Sequence, residues 1–222
     1  MTRPNIGKTT YPSLIYPQWT PNSSPLPPRS RLFRLSPVGI GTIGVESLTS
    51  YIARLAAEHC VSPRQLLCKE VLNEVGRTSP IYSASPSFFG NTINGGLGTL
   101  AEVTVDGFER LTLRDDLRYT TFLPWKGSIS FFQLLRTKRA WCPSCYEEQM
   151  IERGYAYEPL IWAVESVSIC YRHHKQLCQV CPHCGKQLIF IAAYYCPGYC
   201  SNCQQWLGDS NFKRANKYAP SL

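Results

Sequence analysis

Two cysteine-rich quartets between residues 142 and 203 constrain this chain more than any other feature. Cys142-Pro143-Ser144-Cys145 is followed, after 24 residues, by Cys170-Tyr171-Arg172-His173. Cys181-Pro182-His183-Cys184 is followed, after 15 residues, by Cys200-Ser201-Asn202-Cys203. A Cys-x-x-Cys turn places two sulfurs about 2.3 Å from one tetrahedral centre, and a second turn completes the shell. The spacing predicts two structural zinc ions, one on Cys142, Cys145, Cys170 and His173, the other on Cys181, Cys184, Cys200 and Cys203. For the first, a longer spacer to His174 is the alternative fourth ligand. His183 reads as a polar turn residue. Cys178 and Cys196 are spare and can stand in through a slipped register, while Cys60 and Cys68 read as core residues on helices. With all four positions filled by protein, neither centre has room for the water that a hydrolytic zinc activates.

Composition favours metal over disulfides. Eleven cysteines fall in a 222-residue chain whose first residues, Met1-Thr2-Arg3-Pro4-Asn5, lack the apolar stretch of a secretory signal. A reducing prokaryotic cytoplasm is the expected setting, and no apolar run suits a membrane span. The formal charge is +8; seven ligand thiolates (−7) and two zinc dications (+4) bring it to +5. Five basic residues, Arg3, Lys8, Arg29, Arg31 and Arg34, precede the first acid, Glu46. Arg136, Lys138 and Arg139 form a second cluster, and Lys213, Arg214 and Lys217 a third. Such patches suit nucleic acid or acidic protein faces.

The pattern along the chain predicts a mainly helical α+β protein: a proline-rich arm over 1–30, a helix-turn-helix domain over 31–125, a double zinc-finger, zinc-ribbon-like domain over 126–208 and a tail over 209–222. The arm holds seven prolines. Residues 31–37 read as a short strand. From Glu46 to Cys60, Leu48, Tyr51, Ile52, Leu55 and Ala56 repeat at helical spacing. Ser62 and Pro63 are an N-cap and a first helical residue for a second helix to about Val75. That pair suits a helix-turn-helix or an ordinary helical hairpin. Residues 76–108 read as loop. Asn94-Gly95-Gly96-Leu97-Gly98 lacks the Gly-Lys-Ser/Thr of a phosphate-binding loop. A helix over Thr112 to about Thr121 is expected, capped by Thr112 and Asp115. The adjacent acids Asp115-Asp116 and Glu147-Glu148 read as solvated. Tyr155, Tyr157 and Trp162 are expected over the first centre, with Trp206 closing the second.

In order, Phe33-Arg34-Leu35, Glu46 to Tyr51, the helix pair, Leu123-Pro124-Trp125, Cys142…Cys145, Trp162, Cys170…His173 and the second quartet resemble the TniQ family over about residues 31–208. These are target-selection proteins of transposons with heteromeric transposases. The resemblance implies a helix-turn-helix domain followed by two zinc fingers. It also implies an adaptor joining a targeting module to TnsC, the AAA+ ATPase that recruits the transposase. Longer, TnsD-like relatives carry a further DNA-binding extension. Here only 19 residues follow Cys203. The chain thus resembles the short forms of CRISPR-associated transposons, in which a guide-RNA complex, Cascade or a single-chain effector, supplies specificity.

Two other classes compete. A sequence-specific DNA-binding protein, TnsD-like in role, would read bases through Pro63 to Val75. That segment balances Arg64 and Lys69 against Glu70 and Glu74, where a major-groove reader usually carries more positive charge. A zinc enzyme lacks support, since there is no His-Glu-x-x-His and no open coordination position. Arg29, Arg31, Arg34, Arg136, Lys138 and Arg139 are the candidate contacts to target DNA, guide RNA backbone or protein partners.

Overall fold

The computed structural model describes residues 28–71, 92–95, 99–129 and 134–209. Most of the 1–30 arm, the end of the second expected helix, the glycines at 96 and 98 and the basic tail fall outside them.

Helices make up most of the regular structure, and among the described residues strand pairing is confined to isolated antiparallel bridges. Helix α1 (Leu48–Glu58) begins at Ser47, whose hydroxyl accepts the Ser50 N–H and satisfies one free donor of the first turn. The helix is two residues shorter at each end than the pattern suggested. Glu46 lies before it because its backbone bridges Pro159 instead. Tyr51, Ile52, Leu55 and Ala56 are buried, as their spacing requires.

After a turn over 59–62, α2 (Pro63–Leu66) starts from the expected cap. Ser62 and Gln65 form a reciprocal capping box. The helix then widens into a π turn over Leu67–Val71. Cys60, expected in the core, is exposed at φ 54°, whereas Cys68 packs against the core.

Two expectations need correction. Helix α3 (Thr99–Thr112) takes in the last ten residues of the segment read as loop, and a short 3-10 turn, Leu117–Thr120, replaces the helix expected over 112–121. Leu100, Ala101, Val105, Phe108 and Leu111 give α3 a buried face. Thr104 and Thr112 donate back to the carbonyls of Leu100 and Phe108, so their hydroxyls are satisfied within the helix. Asp115 does not cap Thr112; its neighbour Asp116 instead accepts from Arg114 Nε at 2.8 Å. Residues 31–37 form no strand, and Arg31 and Leu32 donate to the Leu111 carbonyl.

Asn94 locks this half together. Its side chain accepts the Thr49 N–H at 3.1 Å and donates to the Thr49 hydroxyl at 3.0 Å, while its carbonyl accepts the Phe122 N–H. The residue opening the glycine-rich motif is thus a buried clamp.

The helical half and the cysteine-rich half share cores. Ile191 and Tyr195 pack into the cluster formed by α1, α2 and α3. Val45 and Phe122 join Leu160 and Val164 in a smaller cluster. Backbone bonds from Ser47 to Glu158 and from Leu160 to Val45 cross the same seam. Gly44 lies close to this seam: a Cβ there would sit 2.6 Å from the Tyr171 hydroxyl, so that side chain would have to shift.

Candidate metal centres

Helix α4 (Pro143–Arg153) carries the first half of one site on its N-terminus. Cys142 is the cap residue, Pro143 pre-sets the first turn, and Gly154 ends the helix at φ 78°. Cys145 follows one turn into the helix.

The other three knuckles share one backbone design. The Cys170, Cys181 and Cys200 N–H groups donate to the carbonyls of Lys175, Lys186 and Gln205. Their own carbonyls accept from His174, Gly185 and Gln204. An antiparallel bridge closes each turn: Ile169 with Gln176, Val180 with Gln187 and Tyr199 with Trp206. The residue after the second ligand position is left-handed each time, at φ 54° for His174, 68° for Gly185 and 60° for Gln204. His174 therefore occupies the turn-closing position, and His173 is the fourth donor of the first quartet.

The donor atoms converge. Each quartet, Cys142/Cys145/Cys170/His173 and Cys181/Cys184/Cys200/Cys203, lies within 4.8 Å and can hold a metal ion. A tetrahedron with metal–sulfur bonds of about 2.3 Å has edges of about 3.8 Å, slightly less where nitrogen replaces sulfur. Cys181–Cys203 and Cys184–Cys200 are both 3.7 Å apart, and Cys145–Cys170 is 3.5 Å. His173 Nδ1 lies 3.5, 3.2 and 3.7 Å from Cys142, Cys145 and Cys170 Sγ. Three sulfurs with one imidazole, and four sulfurs, are donor sets suited to zinc. Cys178 and Cys196 belong to neither quartet. His183 turns away and its Nε2 lies 2.9 Å from the Trp206 carbonyl.

Without metal the thiols already differ. A hydrogen bond from Cys145 pushes Cys142 down to about 5, and the same bond, with burial, pushes Cys145 up. In the second quartet the Lys186 N–H is the main force lowering Cys184 to about 6. Burial raises Cys181, and raises Cys203 to about 12.

Half of the expected aromatic shell is present: neither Tyr155 nor Tyr157 belongs to the cluster that holds the ligand cysteines. Trp162 and Trp206 pack in the cluster that holds the ligand cysteines, with Tyr146 against both rings. Tyr155 instead lies under the Arg54 guanidinium, 4.6 Å away.

The cluster Arg136, Lys138 and Arg139 is not a basic surface. Arg139 is 0% exposed and Arg136 3%; Lys138 is half-buried. Arg136 Nη2 donates to the carbonyls of Glu165 and Val167. Arg139 Nε donates to Glu158 Oε1 at 2.9 Å, and the Tyr146 and Tyr195 hydroxyls donate to the same carboxylate at 2.7 and 2.9 Å. Burial, reinforced by Glu158, raises both tyrosines, so they remain donors. Burial disfavours the charge on Arg139, but the neighbouring Glu158 carboxylate more than offsets this and raises it. A second buried pair, Arg54 to Glu46, is bidentate at 2.7 Å. In the N-terminal set, Arg29 and Arg34 are exposed, and Arg31 pairs with Glu70 at 3.0 Å.

A family model, TniQ, matches residues 37–177. The chain belongs to the TniQ family. Membership implies a transposition-associated role in target selection, and TniQ proteins act as non-catalytic adaptors or DNA-binding proteins. The TniQ match takes in α1, the buried arginine pairs and the whole first quartet, and it ends before the second quartet begins at Cys181. A comparison with curated proteins finds no match. Among the described residues, no helix is long and apolar enough to cross a membrane.

Proposed function

We propose that this chain is a non-enzymatic target-selection adaptor. It holds two structural zinc ions and links an RNA-guided CRISPR effector complex, Cascade or a single-chain effector, to the TnsC ATPase, so recruiting the transposase. The TniQ match over residues 37–177 carries the reading. Two quartets that fill a tetrahedral shell support a non-catalytic role, since zinc activates water only from an open position. Zinc on Cys142, Cys145, Cys170 and His173, and on Cys181, Cys184, Cys200 and Cys203, would hold together a region with few regular elements. Helices α1 and α2 are read as the helix-turn-helix pair. Exposed Arg29 and Arg34, with Arg31 beside them, suit the backbone of target DNA or guide RNA. Two weak contacts joined in one molecule raise the second partner's local concentration to about millimolar, which makes selection depend on both.

The test is a triple charge reversal, Arg29→Glu, Arg31→Glu and Arg34→Glu, set against Lys175→Glu with Lys186→Glu on the zinc-binding half. Pull-downs with effector complex and with TnsC run beside a targeted-insertion assay. An adaptor predicts a folded variant that loses one partner, keeps the other and no longer supports insertion. Insertion that survives loss of a partner removes the bridge. A nanomolar, sequence-dependent complex between the chain alone and DNA at physiological salt would put a TnsD-like, sequence-reading role in its place.

A further inference from the structure

The first quartet has a feature the second lacks: a carboxylate against the far side of its only imidazole. His173 Nδ1 faces the three sulfurs, and Nε2 lies 2.8 Å from Glu148 Oε1. Glu148 sits on α4 three residues after Cys145, so the ligand and the carboxylate share one helix face. Its other oxygen lies 2.9 Å from Arg172 Nη2, in an ion pair without hydrogen-bond alignment. Glu148 therefore grips two consecutive residues of the facing knuckle, one of them a ligand.

We propose that Glu148 is the positioning residue that makes His173 a ligand through Nδ1, a reading that rests on the metal-centre assignment above. A neutral imidazole carries one N–H. With that proton on Nε2 and donated to Glu148, the lone pair on Nδ1 points at the metal position. The carboxylate also fixes the ring plane, as outer-shell acceptors do for metal-bound histidines. The His173 knuckle is a turn rather than a helix, and the next residue, His174, is strained at φ 54° and exposed. Glu148 thus selects both the residue and the nitrogen. The four-sulfur site has no ring to orient and needs no counterpart.

The experiment measures metal affinity site by site in the full chain. Zinc is competed away with a chromophoric chelator at fixed pH, and cobalt(II) spectra separate the three-sulfur, one-nitrogen site from the four-sulfur site. Glu148→Ala is expected to weaken the first site about tenfold, at the low end for outer-shell partners because the pair is partly exposed, and to leave the second unchanged. Glu148→Gln, which still accepts through Oε1, is expected to lose less, and covers the case in which the alanine variant misfolds. In a His173→Cys background there is no ring to orient, so Glu148→Ala should no longer change the first site. Unchanged affinity for both Glu148 variants overturns the proposal. So does an equal loss in the His173→Cys background, which would trace the effect to Arg172 or to packing of α4. A wild-type chain that takes up no metal at the first quartet sinks the metal-centre reading itself, an outcome distinct from a loaded wild type indifferent to Glu148.

Discussion

Glu158→Gln tests the interior of the molecule most sharply. The change keeps shape and removes one charge. Around that carboxylate sit the fully buried Arg139 guanidinium and the Tyr146 and Tyr195 hydroxyls, while the Glu158 backbone bonds to Ser47 and Ser50 on the α1 side. Removing one member of a buried pair leaves an uncompensated charge, at a cost of about 3–5 kcal/mol. Domain stabilities are about 5–15 kcal/mol, so this is a large fraction of the whole. At about 2–4 °C per kcal/mol for a chain of this size, the melting temperature should fall by about 6–20 °C. Thermal unfolding of zinc-loaded protein, followed by the fluorescence of buried Trp141 and Trp162, reads the shift. Replacing both partners, Arg139→Met with Glu158→Leu, should cost less than either single change, because no charge is then stranded. A Glu158→Gln protein melting within about 2 °C of wild type would show that Arg139 finds water or another acceptor, and the reasoning would fail.

Other outcomes follow from the same geometry. Elemental analysis of the intact protein should return two zinc ions per chain, one for each quartet. His173→Ala should lower that count by one, while His174→Ala, at the turn-closing position, should leave it unchanged. Zinc affinity should fall as pH falls. Cys145, Cys181 and Cys203 are raised, so in the metal-free chain they hold protons at neutral pH that the ion must expel, and acid favours the protonated, empty form. A chelator titration insensitive to pH between 6 and 8 would contradict this. Ser62→Ala removes half of a capping box and should lower stability by about 1 kcal/mol in denaturant unfolding, the usual loss for such a cap.

The quartets were legible because ligand spacing is a local code: a two-residue turn is needed wherever two sulfurs share one ion. Helix α1 was legible because its buried face repeats at helical period, and the start of α2 because Ser62 and Pro63 are strong local signals. Helix α3 was hidden by context. Its flanking glycines suggest a loop, and its threonines score poorly until Thr104 and Thr112 are seen to bond back within the helix. The choice between His173 and His174 needed the left-handed turn residue, which spacing alone does not reveal. Arg139 misled most. Three basic residues in four look like surface, and the carboxylate that permits burial lies 19 residues further on. Glu148 was hidden in the same way, because an acid beside another acid on a helix gives no sign of the imidazole it meets.

The placement of Ile191 and Tyr195 bears on synthesis as well as stability. Both belong to the core of the N-terminal helices, yet they lie inside the loop between Cys184 and Cys200. A nascent chain can form α1, α2 and α3 as they emerge, but it cannot close that core until the Cys200–Cys203 turn is out of the ribosome and the loop is tied. Until then the core of the three helices lacks the Ile191 and Tyr195 side chains, and the surface they cover stays exposed. If the quartets hold zinc as proposed, metal supply would bear on more than the knuckles themselves: a chain made without it would also lack an ordered Ile191 and Tyr195 in the core of its N-terminal helices.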